Sequence, residues 1–92
     1  MILEFEWDAR KALENLKNHR ISFEEAKTVF NDPLLLNFPD LEHSEQEHRS
    51  INIGASSHAR ILLVVFTDRK GKIRLISSRK ATAKERKIYE TY

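Results

Sequence analysis

Apolar residues recur at helical spacing up to Asn31-Asp32-Pro33 and at strand spacing beyond it. A stretch with a period near 3.6 cannot put its apolar side on one face of a strand, nor a period-2 stretch on one face of a helix. The chain is therefore expected to fold as helices first and a sheet second. Asp8 is placed as an N-cap, and Ala9, Ala12, Leu13 and Leu16 follow as one apolar face of a helix ending near His19. Ser22 and Glu25 have capping-box spacing, with Ile21 and Ala26 at the staple positions. Ala26, Val29 and Phe30 then form the apolar face, and Asn31-Asp32-Pro33 ends the helix.

Beyond that point 34–38, 49–56, 60–67 and 72–78 read as strands, the third of them apolar on both faces and so central. Asp68-Arg69-Lys70-Gly71 is a hairpin turn in which Gly71 suits a left-handed residue. Thr82-Ala83-Lys84-Glu85 is a second capping box, opening a last helix that runs to about Glu90, with Ile88 and Tyr92 spaced to anchor it. Residues 2–6 add a short edge strand. The expected class is α+β in the order (β)ααββββα, an antiparallel sheet packed by helices.

Ninety-two residues are expected to form a single domain, 1–92, with no space for separate cofactor and substrate domains. The chain has no cysteine, so disulfides and thiolate metal sites are excluded. Its longest apolar run, Ile61 to Phe66, is far short of a membrane span, and Met1-Ile2-Leu3-Glu4-Phe5-Glu6 has no signal-peptide pattern. A cytoplasmic protein without membrane contact is the expectation.

The net charge of +2 conceals a division: residues 1–48 carry five Lys/Arg against eleven Asp/Glu, and residues 49–92 carry eleven against three. A basic half on a small domain points to a polyanion or an acidic partner. The positive charge peaks from Arg79 to Lys87, where the last strand runs into the last helix. Lys84 and Arg86 stand in that helix's first turn, where cations oppose the helix dipole. A phosphate at the helix start would resolve the conflict. A solvated Lys-rich terminal helix accounts for the same charges without a ligand. Arg79 and Lys80 come to this corner from the strand; Arg74 lies on the strand leading to it, Arg60 begins the central strand, Arg49 begins its neighbour, and Lys87 extends the basic run. Tyr89 lies about 100° round from Ile88, which leaves its hydroxyl wet. Trp7 and Phe66 read as core residues, and Lys70 and Lys72 as guards of an edge.

Motifs of other chemistries are missing. There is no Gly-rich phosphate loop, no Gly-x-Ser-x-Gly elbow, no His-Glu-x-x-His pair and no carboxylate cluster for two-metal work. The histidines of Glu42-His43-Ser44-Glu45-Gln46-Glu47-His48 match no tight ligand spacing, so neither metal nor cofactor is expected. A nuclease built from these residues would be metal-independent. The ribose 2′-hydroxyl would attack the adjacent phosphate, cations would hold the developing charge, and a His, Glu or Tyr would move protons.

An ordered set of residues now matters: Phe5-Glu6-Trp7-Asp8, then Lys11, Asn15 and His19; Ser22-Phe23-Glu24-Glu25-Ala26 with Val29-Phe30 and Asp32-Pro33; Arg49 with Ile53-Gly54; and Arg74-Leu75-Ile76-Ser77-Ser78-Arg79 with Ala81, Glu85, Arg86 and Tyr89. Together, over about residues 5 to 90, they resemble the BrnT-type toxin family. The resemblance implies a RelE-like fold and a cytoplasmic toxin of a type II toxin–antitoxin pair that inhibits ribosomes or cleaves RNA and arrests growth. It also implies a cognate antitoxin of ribbon-helix-helix type, which covers the toxin in a hetero-oligomer, often a heterotetramer, and carries the complex to operator DNA. Where the family often has Lys-His-Gly, this chain has Asn18-His19-Arg20. Loss of the Gly removes the easy left-handed cap and weakens a catalytic role for His19.

The expected site follows: Arg79 and Arg86 on the phosphate, with Tyr89 or Glu85 as proton carrier. Lys80, Lys84, Lys87, Arg74, Arg49 and Arg60 would contact the RNA. A capping role already accounts for Glu85. Two other readings use the same surface: a non-catalytic RNA-binding module of a toxin–antitoxin operon, and a purely protein-binding face for an acidic partner.

Overall fold

In a computed structural model, which describes residues 3–42 and 47–92, the Asp8 carboxylate accepts the Lys11 N–H at 3.0 Å and starts helix α1, Ala9–His19. The start of the expected first strand at Ile2, and residues 43–46 with His43, lie outside the described residues. Short strand β1, Phe5–Glu6, precedes α1. Helix α2, Phe23–Thr28, continues as a 3₁₀ turn over Val29–Asn31 and stops at Asp32. Four strands follow: β2, Leu36–Pro39; β3, Ser50–Ala55; β4, Ile61–Arg69; and β5, Lys72–Lys80. Helix α3, Ala83–Thr91, opens on the expected Thr82–Glu85 capping box, with both reciprocal hydrogen bonds made.

Among the described residues the sheet runs β1-β5-β4-β3-β2. Strands β2 to β5 pair antiparallel, while β1 lies parallel against the edge of β5. The expected α+β order is the one found. Lys70 joins Gly71 in the left-handed region (φ 55° and 80°), giving the hairpin two left-handed central residues. No helix of the described residues is long and apolar enough to cross a membrane.

Helix α2 and the 3₁₀ turn cover one face of the sheet. There Ile21, Phe23, Ala26 and Val29 pack on Leu62, Val64, Phe66 and Leu75. Burial of each large side chain contributes roughly 1.5–3 kcal/mol. Gly54 admits this layer, because a Cβ there would stand 3.0 Å from Val29 Cγ1 and 3.1 Å from Asp32 Oδ2. Phe66 is buried and Trp7 packs edge-on against Phe23, so both serve the core as expected. Among the described residues the other face of the sheet carries no such layer over β4 and β5.

A bulge decides what shows on that open face. Val65 pairs with Ser77 but Phe66 pairs with Leu75, which leaves Ile76 as an extra residue in β5. Leu75 therefore joins the helix-covered core, while Ser77 and Arg79 share the open face with Leu63 and Val65.

Helix α1 corrects the sequence reading. Leu13 and Leu16 are 69 % and 45 % exposed, and the residue buried on α1 is Asn15. The helix lies along the rim of the sheet beside β5, where the strand edge needs hydrogen-bond partners. The Asn15 carboxamide supplies them: its Oδ1 accepts the Ser78 N–H at 2.9 Å, and its Nδ2 donates to Ser78 O at 2.8 Å and Ile21 O at 2.9 Å. It continues the role of β1 one side chain at a time. We expect Asn15→Ala, which strands all three backbone groups, to lower stability by about 2–3 kcal/mol. Urea unfolding would show this as a lower midpoint at unchanged slope, and a midpoint within error of the parent would refute the role.

The end of α1 survives without glycine. Arg20 itself takes the left-handed conformation (φ 60°) and its N–H reaches Leu16 O at 2.9 Å. The exit that the Gly would have eased is thus preserved.

The capping box expected at Ser22 is only half made. Ser22 Oγ accepts the Glu25 N–H at 3.0 Å, but the Glu25 carboxylate turns inward instead of back to the helix start. It accepts from Ser56 Oγ at 2.7 Å and Arg60 Nε at 2.9 Å, with Arg60 Nη2 on its other oxygen and His58 Nδ1 3.1 Å away.

Candidate nucleic-acid site

Asn15 fixes α1 against Ser78, and one turn later on the same side of the helix comes His19. That spacing carries the imidazole to the open face of β5. There a cleft of about 520 Å³ is lined by His19, Asp40, Glu42, Arg49, Ser77, Arg79 and Glu85 over an apolar floor of Ile51, Leu63 and Val65. Each element contributes for a reason already given. The bulge turns Ser77 and Arg79 to this side. Residues 40 and 42 follow β2, and Arg49 stands at the entry to β3, where its carbonyl accepts the Asp40 N–H at 2.9 Å. Glu85 descends from the first turn of α3.

Arg79 is held end-on. Its Nη1 and Nη2 donate to the two Glu85 oxygens at 2.8 and 3.0 Å, a bidentate pair. The Arg79 guanidinium, helped by the N–H of Thr82, holds the Glu85 carboxyl at about 2. Glu85 is thus ionised across the whole working range, caps α3 and orients Arg79. A carboxyl with that value is a weak proton acceptor near neutral pH.

The other sequence-predicted residues are dispersed. Tyr89 lies outside the cleft: its hydroxyl is not wet but donates to Asp32 Oδ2 at 2.5 Å. The neighbouring carboxylate pushes the phenol up to about 12. The same Asp32 oxygen accepts the Ala55 N–H at 2.7 Å, so Tyr89 ties α3 to the end of β3 through Asp32. Ile88 and Tyr92 do not anchor this helix; Tyr92 is 88 % exposed and Ile88 is also on the surface. Arg74 lies at the opposite end of β5, bonded to Glu6 of β1 at 2.7 Å. Arg60 is bound to Glu25. Lys84 and Lys87 are exposed on α3.

Alternation along β5 parts Arg79 from Lys80, which faces the other way beside Leu62. Lys80 and Arg86 line a second cleft with Arg60. The basic corner seen in the sequence is therefore two clefts with the 79–86 junction between them.

Sequence reasoning discounted His19, named Ser77 only within the resemblance and Glu42 only within a segment rejected as a metal site, and passed over Asp40. The signal for His19 lay in the set of residues shared with the BrnT-type family, where a His stands at the helix end. Among the described residues no group of three or more His, Asp or Glu side chains is placed to hold a metal ion.

The fold is similar to that of the Brucella abortus ribonuclease toxin, BrnT, known from a crystal structure at 1.1 Å resolution. The TM-score is 0.69 at 21 % identity, over 88 % of this chain and 99 % of that one. At this identity the likeness establishes the fold, and the expected RelE-like architecture is the one observed. Comparison with curated proteins finds no match. The family described as ribonuclease toxin, BrnT, of type II toxin-antitoxin system matches residues 7–85, a span containing His19, Arg49, Arg79 and Glu85. With most of its length matched, the chain belongs to the BrnT family of type II toxin–antitoxin systems.

Proposed function

We propose that this chain is a metal-independent endoribonuclease toxin that arrests growth and is neutralised by a cognate antitoxin. The observation that carries the reading is the meeting of His19, Arg49 and Arg79 in one cleft, in a member of this family. The apolar floor gives a base or ribose a dry surface, and the two guanidinium groups suit a phosphate.

In the proposed reaction the ribose 2′-hydroxyl attacks the adjacent phosphorus and loses its proton to a base in the cleft. The P–O5′ bond breaks and the departing oxygen takes up a proton. A 2′,3′-cyclic phosphate and a 5′-hydroxyl result. Arg79, with Arg49, holds the charge that builds on the phosphorane oxygens. His19 carries the proton, since an imidazole has one ring nitrogen to accept it and another to donate. Glu85 positions Arg79 rather than moving a proton. The antitoxin would be of ribbon-helix-helix type, binding operator DNA as a complex, and the toxin would act in the cytoplasm.

Induction of the chain alone in a bacterium tests the reading. Growth arrest with RNA decay, relieved when the antitoxin is co-expressed, is expected. Unimpaired growth at good expression would overturn it.

The reassignment of Tyr89 has its own test. Tyr89→Phe keeps the ring and removes one hydrogen bond to a carboxylate, at a cost of about 1.5–3 kcal/mol of stability. Cleavage by the folded variant should stay within about twofold of the parent. A proton carrier would instead be worth about 10²–10⁴-fold.

A further inference from the structure

The proposed reaction cleft is poorly suited to hold a polyanion by charge. Its described lining has two guanidinium groups against three carboxyls, those of Asp40, Glu42 and Glu85, a formal balance of −1. Glu85 already occupies the Arg79 fork. Attraction for a nucleic-acid strand has to come from elsewhere on the surface.

The second cleft supplies it. About 450 Å³ in volume, it is lined by Ala59, Arg60, Ile61, Lys80, Ala81, Arg86 and Glu90. Arg60 is committed to Glu25. No side-chain hydrogen bond or ion pair among the described residues engages Lys80 or Arg86, although Glu90 shares the cleft. Both side chains are exposed. Arg86 stands in the first turn of α3, where a cation opposes the helix dipole unless an anion joins it.

The two clefts share one divider. Arg79 and Glu85 face one side of the β5–α3 junction, and their chain neighbours Lys80 and Arg86 face the other. A single strand would have to cross this junction to reach both. We infer that the Lys80–Arg86 cleft is a separate subsite that binds backbone phosphates flanking the scissile one in single-stranded RNA, supplying affinity while the His19–Arg79 cleft supplies chemistry. The inference rests on the proposed ribonuclease reading for what happens in the first cleft, and on the second cleft's own charges for the binding.

The test uses the full chain and the Lys80→Gln/Arg86→Gln double variant, with thermal unfolding to confirm that both are folded. Binding is read by fluorescence anisotropy on a single-stranded 2′-O-methyl oligoribonucleotide of about 15 nucleotides, which has no free 2′-hydroxyl to attack. The double variant should bind about tenfold or more weakly. Its slope of log affinity against log salt should fall by about 1.4, two phosphates at 0.7 each. The charge-conserving Lys80→Arg/Arg86→Lys variant should restore both. On cleavable RNA of the same length, KM should rise with kcat within about twofold. A dinucleoside monophosphate, which has no flanking phosphate, should be cut equally by parent and double variant. Unchanged affinity and salt slope would overturn the subsite. So would a fall in kcat shared by the dinucleotide, which would place these cations at the reacting phosphate. Weakened binding alongside a parent chain that cuts neither substrate would uphold the subsite and refute the ribonuclease reading.

Discussion

Arg79→Ala is expected to lower RNA cleavage by about 10²–10³-fold, and induction of that variant should no longer arrest growth. The magnitude is that of removing one preorganised charge donor from a phosphorane-like transition state. Arg79 qualifies because its direction is set before substrate arrives: the β5 bulge chooses its face, and the two Glu85 oxygens hold its fork at 2.8 and 3.0 Å. The fold should survive. The Arg79 side chain is 39 % exposed, and an ion pair so open to solvent contributes about 1 kcal/mol or less. Glu85 keeps its second task, accepting the Thr82 N–H at 2.8 Å, so α3 remains capped. A folded Arg79→Ala protein by circular dichroism that cuts RNA at the parent rate would remove Arg79 from the reaction.

Arg60→Ala is expected to act on stability instead, lowering it by about 3–5 kcal/mol. The Glu25 side chain is 2 % exposed, and Arg60 supplies both its charge partner and two of its hydrogen bonds. Truncation leaves a buried carboxylate with only Ser56 Oγ and the His58 ring beside it. The Arg60→Ala/Glu25→Gln double variant should recover part of the loss, because the uncompensated charge is gone. A native-like urea midpoint for Arg60→Ala would show that the ion pair is dispensable. The pair also sets a pH dependence. The Arg60 hydrogen bonds, with that of Ser56, hold the Glu25 carboxyl below its ordinary value. A lowered folded-state value means that the unfolded chain binds the proton first. The stabilisation is therefore complete above the unfolded carboxyl's value of about 4.3 and lost as pH falls from there through the folded value. Stability measured from pH 7 down to 3 should drop more steeply in the parent than in the Arg60→Ala/Glu25→Gln variant.

These two arginines also show what could and could not be read from residue order. Local signals resolved well. Asp8, Thr82 and the Lys70-Gly71 hairpin act within a few residues of themselves, and the structure keeps each. The switch of period at Asn31-Asp32-Pro33 was enough to separate the helical layer from the sheet. Failures came where a partner lies far along the chain. The face of α1 was misjudged because its docking residue is polar: Asn15 pairs with Ser78, 63 residues away, and leaves Leu13 and Leu16 to solvent. Glu25 had perfect capping-box spacing but a stronger partner 35 residues on. Tyr89 was placed by helical geometry alone, without Asp32 to receive its hydroxyl.

The candidate site was half legible for a related reason. Clustered charge located the β5–α3 junction, but linear clustering does not say which face of a sheet each residue meets. Strict alternation would put Leu75 with Ser77 and Arg79, and only the bulge at Ile76 separates them. His19 was set aside over a missing glycine, whereas Arg20 adopts the left-handed conformation in its place.

The measurement that bears most directly on the cleft as a metal-independent cleavage site is end analysis of RNA cut by the purified chain in EDTA. A single-stranded RNA should yield fragments with 2′,3′-cyclic phosphate and 5′-hydroxyl ends, at a rate that falls with Arg79→Ala. Intact RNA recovered bound to the protein, or fragments ending in 3′-hydroxyl and 5′-phosphate, would contradict it.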